Sequence, residues 1–91
     1  MTYLIVQHKV SDYTTWRQAF ESNESFRRSS GATGVKQVYQ DIHDPNAVTV
    51  LLEWKDATSA QKFVSDPDLA KIMEQAGVIG KPSVASILSA A

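Results

Sequence analysis

The chain has 91 residues and a mass of 10.0 kDa, which is room for a single domain over residues 1–91. It contains no cysteine, so neither a disulfide nor a thiolate metal site can reinforce a small core. The formal charge is −1 and no basic stripe is visible, which argues against nucleic-acid binding. No apolar run is long enough to span a bilayer and the N-terminus lacks signal-peptide features, so we expect a cytoplasmic protein.

The first third of the chain predicts a strand followed by a helix. Tyr3 to Val10 is rich in β-branched and aromatic residues, which is typical of a strand. Ser11-Asp12 supplies a helix N-cap, and Gly31 is suited to end the helix. Between them one stripe of residues recurs at helical spacing: Tyr13, Trp16, Phe20, Asn23 and Arg27.

The middle of the chain predicts a β-hairpin. Val35 to Asp41 reads as the second strand and Ala47 to Trp54 as the third. The intervening Asp44-Pro45-Asn46 is turn chemistry, because proline presets φ after a residue that favours turns.

The last third predicts a split helix and a fourth strand. Asp56 or Thr58 caps the first part, while Asp66-Pro67 stops it and starts the second. The second part carries an apolar stripe and is ended by two glycines: Leu69, Ile72, Met73 and Ala76, then Gly77 and Gly80. Ser83 to Leu88 reads as the last strand.

The resulting order is βαββαβ, which predicts an α+β, ferredoxin-like fold with a four-stranded antiparallel sheet and the helices on one face. RNA-recognition domains share this order, but the third strand lacks their aromatic motif and the charge is wrong, so we expect no nucleic-acid partner.

Alternation along the strands predicts which sheet face the helices cover. Leu4, Val6, His8 and Val10 form the more apolar face of the first strand, and the third strand presents Val48, Val50, Leu52 and Trp54 on the same side. The other face still carries Ile5, Leu51 and, by expectation, Val38 or Ile87. Because several aliphatic side chains on a helix-free face favour coverage, we expect a homodimer formed through that face.

Three segments resemble the antibiotic-biosynthesis-monooxygenase-like family of the dimeric α+β barrel superfamily. They are the run His8-Lys9-Val10-Ser11-Asp12-Tyr13-Thr14-Thr15-Trp16, the turn Asp44-Pro45-Asn46 and the strand end Glu53-Trp54. The resemblance covers nearly the whole chain and implies a homodimer with a pocket between helices and sheet. That superfamily includes cofactor-free quinol-type monooxygenases, haem-degrading enzymes, cyclase-like proteins and members of no known activity.

His8 is the principal candidate for catalysis, as a proton acceptor for a small aromatic substrate. The alternative is a packed histidine that is bonded to a backbone carbonyl or to Tyr13. Trp16, Phe20 and Trp54 are expected to surround His8 as an aromatic wall, with core packing as the alternative for each.

Asn23 and Arg27 are polar residues on the otherwise apolar helix stripe and need partners if buried. Helix rise places Asn23 about 10 Å from His8 along the helix and Arg27 much farther, so we expect His8 and Arg27 not to act on one atom. Asn23 is a candidate catalytic anchor and Arg27 a candidate substrate-binding residue. The alternative is that this end of the stripe turns to solvent.

Other chemistries have weaker support. His43 lies between acidic turn residues and is expected to be a solvated loop residue, and two histidines without ligand spacing predict no metal site. The resemblance implies that haem-degrading members take an axial histidine from the second half, where this chain has none, so no cofactor is expected.

The leading hypothesis is therefore a small-molecule-binding dimeric α+β barrel that acts as a cofactor-independent monooxygenase on quinol-like aromatics. A non-enzymatic binding or regulatory module, or a purely structural dimer, are the alternatives. An open pocket that contains His8 would distinguish the first hypothesis from a closed core.

Overall fold

The computed structural model describes all 91 residues and contains four strands and four helices. The strands are β1 (Thr2–Val10), β2 (Ala32–Gln40), β3 (Ala47–Trp54) and β4 (Val78–Ser89). The helices are α1 (Tyr13–Ser22), α2 (Glu24–Ser30), α3 (Ala57–Val64) and α4 (Pro67–Gln75). The sheet is antiparallel in the order β2-β3-β1-β4, which confirms the ferredoxin-like fold. None of the helices has the length and apolar character needed to cross a lipid bilayer.

Aspartates begin three of the four helices, α1, α3 and α4, where the sequence predicts them. The side chains of Asp12, Asp56 and Asp66 each accept a backbone N–H hydrogen bond, from Thr15, Ser59 and Asp68 respectively. Pro67 occupies the first turn of α4, as expected from its fixed φ. These caps satisfy backbone donors that the first turn of a helix leaves free.

The first predicted helix is two helices, separated at Asn23. This residue has φ −97° and ψ 11°, and its side-chain Nδ2 donates to the carbonyl oxygen of Ala19 at 2.8 Å. A short amide side chain that bonds to the preceding turn competes with continuation of the helix. The second segment ends at Gly31, whose φ of 120° explains why glycine stands at the predicted end.

Two strands are longer than predicted. β2 begins at Ala32 and not at Val35, and β4 begins at Val78 and not at Ser83. In each strand an irregularity of pairing separates the added residues from the rest, so the alternation that marks a strand is interrupted there. Gly80 consequently lies inside β4 and does not end a helix.

The helix-covered face of the central strands is as predicted, with these side chains buried: Leu4, His8, Val10, Val48, Val50, Leu52 and Trp54. The expectation that Val38 or Ile87 lies on the open face is wrong. Val38 pairs with Val50 and Ile87 pairs with Leu4, so both residues point toward the helices and pack against the core. Register, which the sequence pattern does not show, decides their side.

Candidate functional site

A cavity of about 230 Å³ lies between the sheet and the helices. Fifteen of its 19 lining residues are hydrophobic, and the polar side chains among them are His8, Asn23 and Arg27. Typical small-molecule pockets have volumes of about 300–1,000 Å³ and combine an apolar lining with a few polar groups. The cavity has that composition at a smaller size, which suits a ligand of one or two rings.

Incomplete packing under α4 leaves this space open. Leu69, Ile72 and Met73 form the apolar stripe of α4 and line the cavity, yet no residue of the helix is fully buried. On β4, Ala85 pairs with Val6 on the helix-covered face but is itself exposed. The cavity therefore opens to solvent beside Ala85.

His8 lines the cavity from near the end of β1, a central strand of the sheet. Its side chain is 7% exposed, and neither ring nitrogen has a hydrogen-bond partner in the chain. This contradicts the alternative of a histidine bonded to a backbone carbonyl or to Tyr13. Burial lowers the pKa of His8 below 6.5, so the imidazole is neutral at pH 7. A neutral imidazole has one N–H donor and one nitrogen lone pair, and because both nitrogens here have almost no accessible surface, a ligand reaches them only when the ring or its neighbours shift.

Trp16 and Phe20 of α1 form the aromatic side of the cavity, as predicted for their position. The His8 ring meets Trp16 edge to face at 5.5 Å between centroids, and Trp16 stacks on Phe20 at 5.0 Å. Such contacts fix ring orientations and leave a flat apolar wall for another ring.

Trp54 does not line the cavity, so the expectation that it surrounds His8 is wrong. The antiparallel register pairs His8 with Val48 and Trp54 with Thr2. The two positions are six residues apart along the strands, which is about 20 Å at 3.3 Å per residue. Trp54 has no exposed surface and packs on Phe63 with ring centroids 4.8 Å apart, as a core residue does.

Arg27 is 6% exposed and lines the cavity, so this end of the stripe does not turn to solvent. Nη1 donates to the carbonyl oxygen of Phe20 at 2.7 Å, the guanidinium carbon lies 3.8 Å from the centre of the Phe20 ring, and Nη2 has no partner. Burial lowers the pKa of Arg27, but a guanidinium titrates so far above neutrality that the charge remains. His8 and Arg27 thus contribute to one cavity.

Asn23 also lines the cavity, and the nitrogen of its side-chain amide already has a hydrogen-bond partner. Because Nδ2 is bonded to Ala19, the amide presents Oδ1 as its remaining acceptor. His43, by contrast, is exposed in the loop between β2 and β3, as predicted. It takes no part in the cavity.

Sequence reasoning missed the far wall of the cavity, which is formed by the following residues: Phe26, Phe63, Val64, Leu69, Ile72, Met73, Pro82 and Ala85. The stripe on α4 was visible as helical periodicity. Periodicity shows which side of a helix is apolar, but it does not show whether that side meets packed atoms or empty space.

Solved structures share this fold, although no family model and no curated protein sequence matches the chain. A Bordetella bronchiseptica protein assigned to the antibiotic biosynthesis monooxygenases superposes with a TM-score of 0.79 at 10% identity, covering 99% of this chain and 96% of that one. SnoaB, a cofactor-independent oxygenase from Streptomyces nogalater, gives 0.74 at 11% identity over 99% and 92%.

A monooxygenase from the gene ActVA-Orf6 of Streptomyces coelicolor, in complex with nanaomycin D, gives a TM-score of 0.66 at 19% identity over 99% of this chain and 87% of that one. Sequence identities this low establish a shared fold and leave function to the site. The chain has the fold of the antibiotic biosynthesis monooxygenases, and the resemblance predicted from the sequence is confirmed at that level.

Proposed function

We propose that the chain binds a small aromatic molecule in its cavity and acts as a cofactor-independent monooxygenase of quinol-like aromatics. The observation that carries the proposal is His8, a buried and neutral imidazole with two unpartnered nitrogens on an otherwise apolar cavity. SnoaB, which has this fold, is described as a cofactor-independent oxygenase and supports the same chemistry.

The role of His8 is to accept a proton from a phenolic hydroxyl or an activated C–H group of the substrate. The resulting anion is electron-rich and passes electrons to O₂ itself, so the protein supplies a base and an enclosure. One oxygen atom joins the substrate carbon, and the other leaves as water with two hydrogens and two electrons from the substrate. A neutral base is suited to this step because it is ready to take a proton at pH 7.

The surrounding residues position the substrate for that transfer. Its ring lies along Trp16 and Phe20, and Asn23 Oδ1 accepts a hydrogen bond from a second hydroxyl. The apolar lining keeps water away from the anion, which strengthens each polar contact inside the cavity.

Oxygen consumption with a panel of hydroquinones tests the reaction. The wild-type protein is expected to consume O₂ with at least one of them, and His8→Ala is expected to lose at least about a hundredfold in rate, as removal of a general base does. His43→Ala is the matched control, since this histidine is exposed and outside the cavity. Equal inertness of the wild type and His8→Ala would remove the case for an enzyme.

The competing function is a non-enzymatic binding or regulatory module with the same cavity. It is favoured by the lack of any carboxylate bonded to His8, because such a partner usually orients a catalytic imidazole. Calorimetric binding of an aromatic ligand without O₂ consumption would select this function over catalysis.

We also propose that the chain is a homodimer formed through the open sheet face. Tyr3 pairs with Leu88, and Ile5 pairs with Leu51, so these four side chains share the face that no helix covers. Leu88 is 44% exposed and the others are partly exposed. Contiguous apolar surface of this kind is typical of an interface.

Light scattering tests the dimer. Wild-type protein at micromolar concentration is expected at twice the monomer mass, and Leu51→Glu is expected to lower the mass to that of a monomer. Ile42→Glu is the control, because Ile42 is 89% exposed but lies in the loop between β2 and β3. A monomeric wild type would contradict the proposal.

A further inference from the structure

Arg27 carries a charge that the chain does not neutralise. The residue is only 6% exposed and forms no salt bridge, and its Nη2 atom has no hydrogen-bond partner. Burying a guanidinium costs free energy unless a counter-charge and hydrogen bonds compensate. Its one hydrogen bond is to the carbonyl oxygen of Phe20, which is neutral.

The two carboxylates near Arg27 are engaged elsewhere. Glu21 and Glu24 both accept from Lys36 Nζ at 2.9 Å, and Glu21 also accepts from Arg17 at 2.9 Å. Three cationic side chains lie near the Phe20 ring. The guanidinium carbon of Arg27 is 3.8 Å from the ring centre, Nζ of Lys36 is 5.6 Å away, and the guanidinium carbon of Arg17 is 5.8 Å away. Three positive charges against two negative ones leave a net charge of +1 around Phe20, and Arg27 is the one of these five residues that lines the cavity.

We infer that the ligand of this cavity is an aromatic acid whose carboxylate pairs with Arg27. The inference rests on the proposed function, in that it takes the cavity as the binding site for an aromatic. Arg27 is then a specificity-determining residue at one end and His8 meets a hydroxyl at the other, with the ring between them on Trp16 and Phe20. A carboxylate fits because a guanidinium N–H pairs strongly with an anionic oxygen.

The size of the cavity limits the acid to one or two rings. At about 230 Å³ the cavity lies below the usual range for drug-sized ligands, and most of its lining is apolar. A flat hydroxylated acid uses both polar ends, whereas a neutral quinol leaves the Arg27 charge buried and unpaired.

Calorimetry at pH 7.5 with three probes tests the inference: 6-hydroxy-2-naphthoate, 6-hydroxy-2-naphthamide and 2-naphthol. The acid and the amide have the same shape and differ in charge. The wild-type protein is expected to bind the acid at least about tenfold more tightly than the amide, since charge-assisted hydrogen bonds are about twice as strong as neutral ones. Equal affinities for acid and amide would overturn the inference and leave the proposed cavity intact. Binding of none of the three probes would overturn both.

Arg27→Met supplies the second arm. This variant is expected to bind acid and amide within about threefold of each other, with amide affinity unchanged. Arg28→Met is the matched control, because Arg28 is exposed and does not line the cavity. Should Arg27→Met fail to fold, the acid–amide comparison on the wild type still decides.

The melting temperature without ligand separates binding from a purely structural role. If Arg27 binds a ligand, Arg27→Met replaces an unpaired charge with an apolar chain, and the melting temperature of the ligand-free variant is unchanged or higher than that of the wild type. Addition of 6-hydroxy-2-naphthoate is then expected to raise the melting temperature of the wild type but not that of the variant. A folded Arg27→Met protein that melts lower and keeps the wild-type preference for the acid would assign Arg27 to structure and overturn the inference.

Discussion

Trp54 and His8 lie at opposite ends of the helix-covered sheet face, and both are buried rings whose nitrogens have no partner in the chain. Around Trp54 the packing is complete, with the Phe63 ring at 4.8 Å and no exposed surface. His8 has only an edge contact with Trp16 among aromatic rings and lines the cavity. Similar residues thus give a packed core at one end and a site at the other.

The helix above each end makes the difference. α3 buries Ala60 and Phe63, whereas α4 buries no residue completely. The chain after α4 returns to the His8 end, where Ser11 N donates to the carbonyl oxygen of Gly77 at 2.9 Å. A helix that is held at its end but does not bury its apolar stripe leaves a void, and a void with polar groups in its wall is suited to a ligand.

Removal of the Trp54 side chain is expected to have the largest effect on stability, because it opens a gap in the fully packed end of the sheet face, here called the closed end. Trp54→Ala is expected to lower the free energy of unfolding by about 3–5 kcal/mol, because Trp54 has no exposed surface and its removal leaves a large cavity in the core. Urea denaturation measures this loss. Trp54→Phe is the control and is expected to lose less, since it keeps most of the ring and Nε1 has no bond to lose. A loss below about 1 kcal/mol for Trp54→Ala would mean that this end is not tightly packed.

A larger side chain at the mouth of the cavity, beside Ala85, is expected to block ligand binding at the other end of the sheet face, here called the open end. Ala85→Phe is expected to weaken binding of 2-naphthol at least about tenfold by covering the mouth of the cavity, while the free energy of unfolding changes by no more than about 0.5 kcal/mol. Calorimetry and urea denaturation measure the two effects. Ile42→Phe places the same ring in the exposed loop between β2 and β3, outside the cavity, and is expected to leave affinity unchanged. Unchanged affinity in Ala85→Phe would locate the opening elsewhere.

The closed end was easier to predict from the sequence than the open one. Alternation along β1 and β3 predicts which side chains the helices cover, and Asp56, two residues after Trp54, is readable as a cap because capping is local. Even there, Trp54 was expected beside His8, although the antiparallel register separates them. Local patterns predict faces and element starts; distances between strand positions require the pairing.

The cavity between His8 and Arg27 depends on features that no local pattern carries. The helical stripe runs through Asn23 without interruption, so the helix break there was not predicted. Arg27 was correctly singled out as a polar residue on an apolar stripe, but its burial without a counter-charge follows from Glu21 and Glu24 bonding to Lys36 across the fold. Void volume is likewise a property of the assembled layers.

The pH dependence of stability sharpens the comparison, because His8 titrates and Trp54 does not. Burial places the pKa of folded His8 below the unfolded value of 6.5, so between those two values the unfolded state binds more protons. Wild-type stability is therefore fully present above pH 6.5 and falls as the pH drops toward the folded pKa, by up to about 1.4 kcal/mol per pH unit for one proton.

His8→Leu isolates this effect. Between pH 7.5 and 5.5 the wild type is expected to lose more of its free energy of unfolding than His8→Leu does, measured by urea denaturation at each pH. Hydrogen bonds to Asp12 and Asp56 lower the pKa of these carboxyls, so their contribution is lost at more acidic pH and is shared by both proteins. His43→Leu, at an exposed position, is expected to follow the wild type. Parallel curves for the wild type and His8→Leu would mean that His8 is solvated in solution, and the distinction between an enclosed site and a packed core would then rest on the cavity alone.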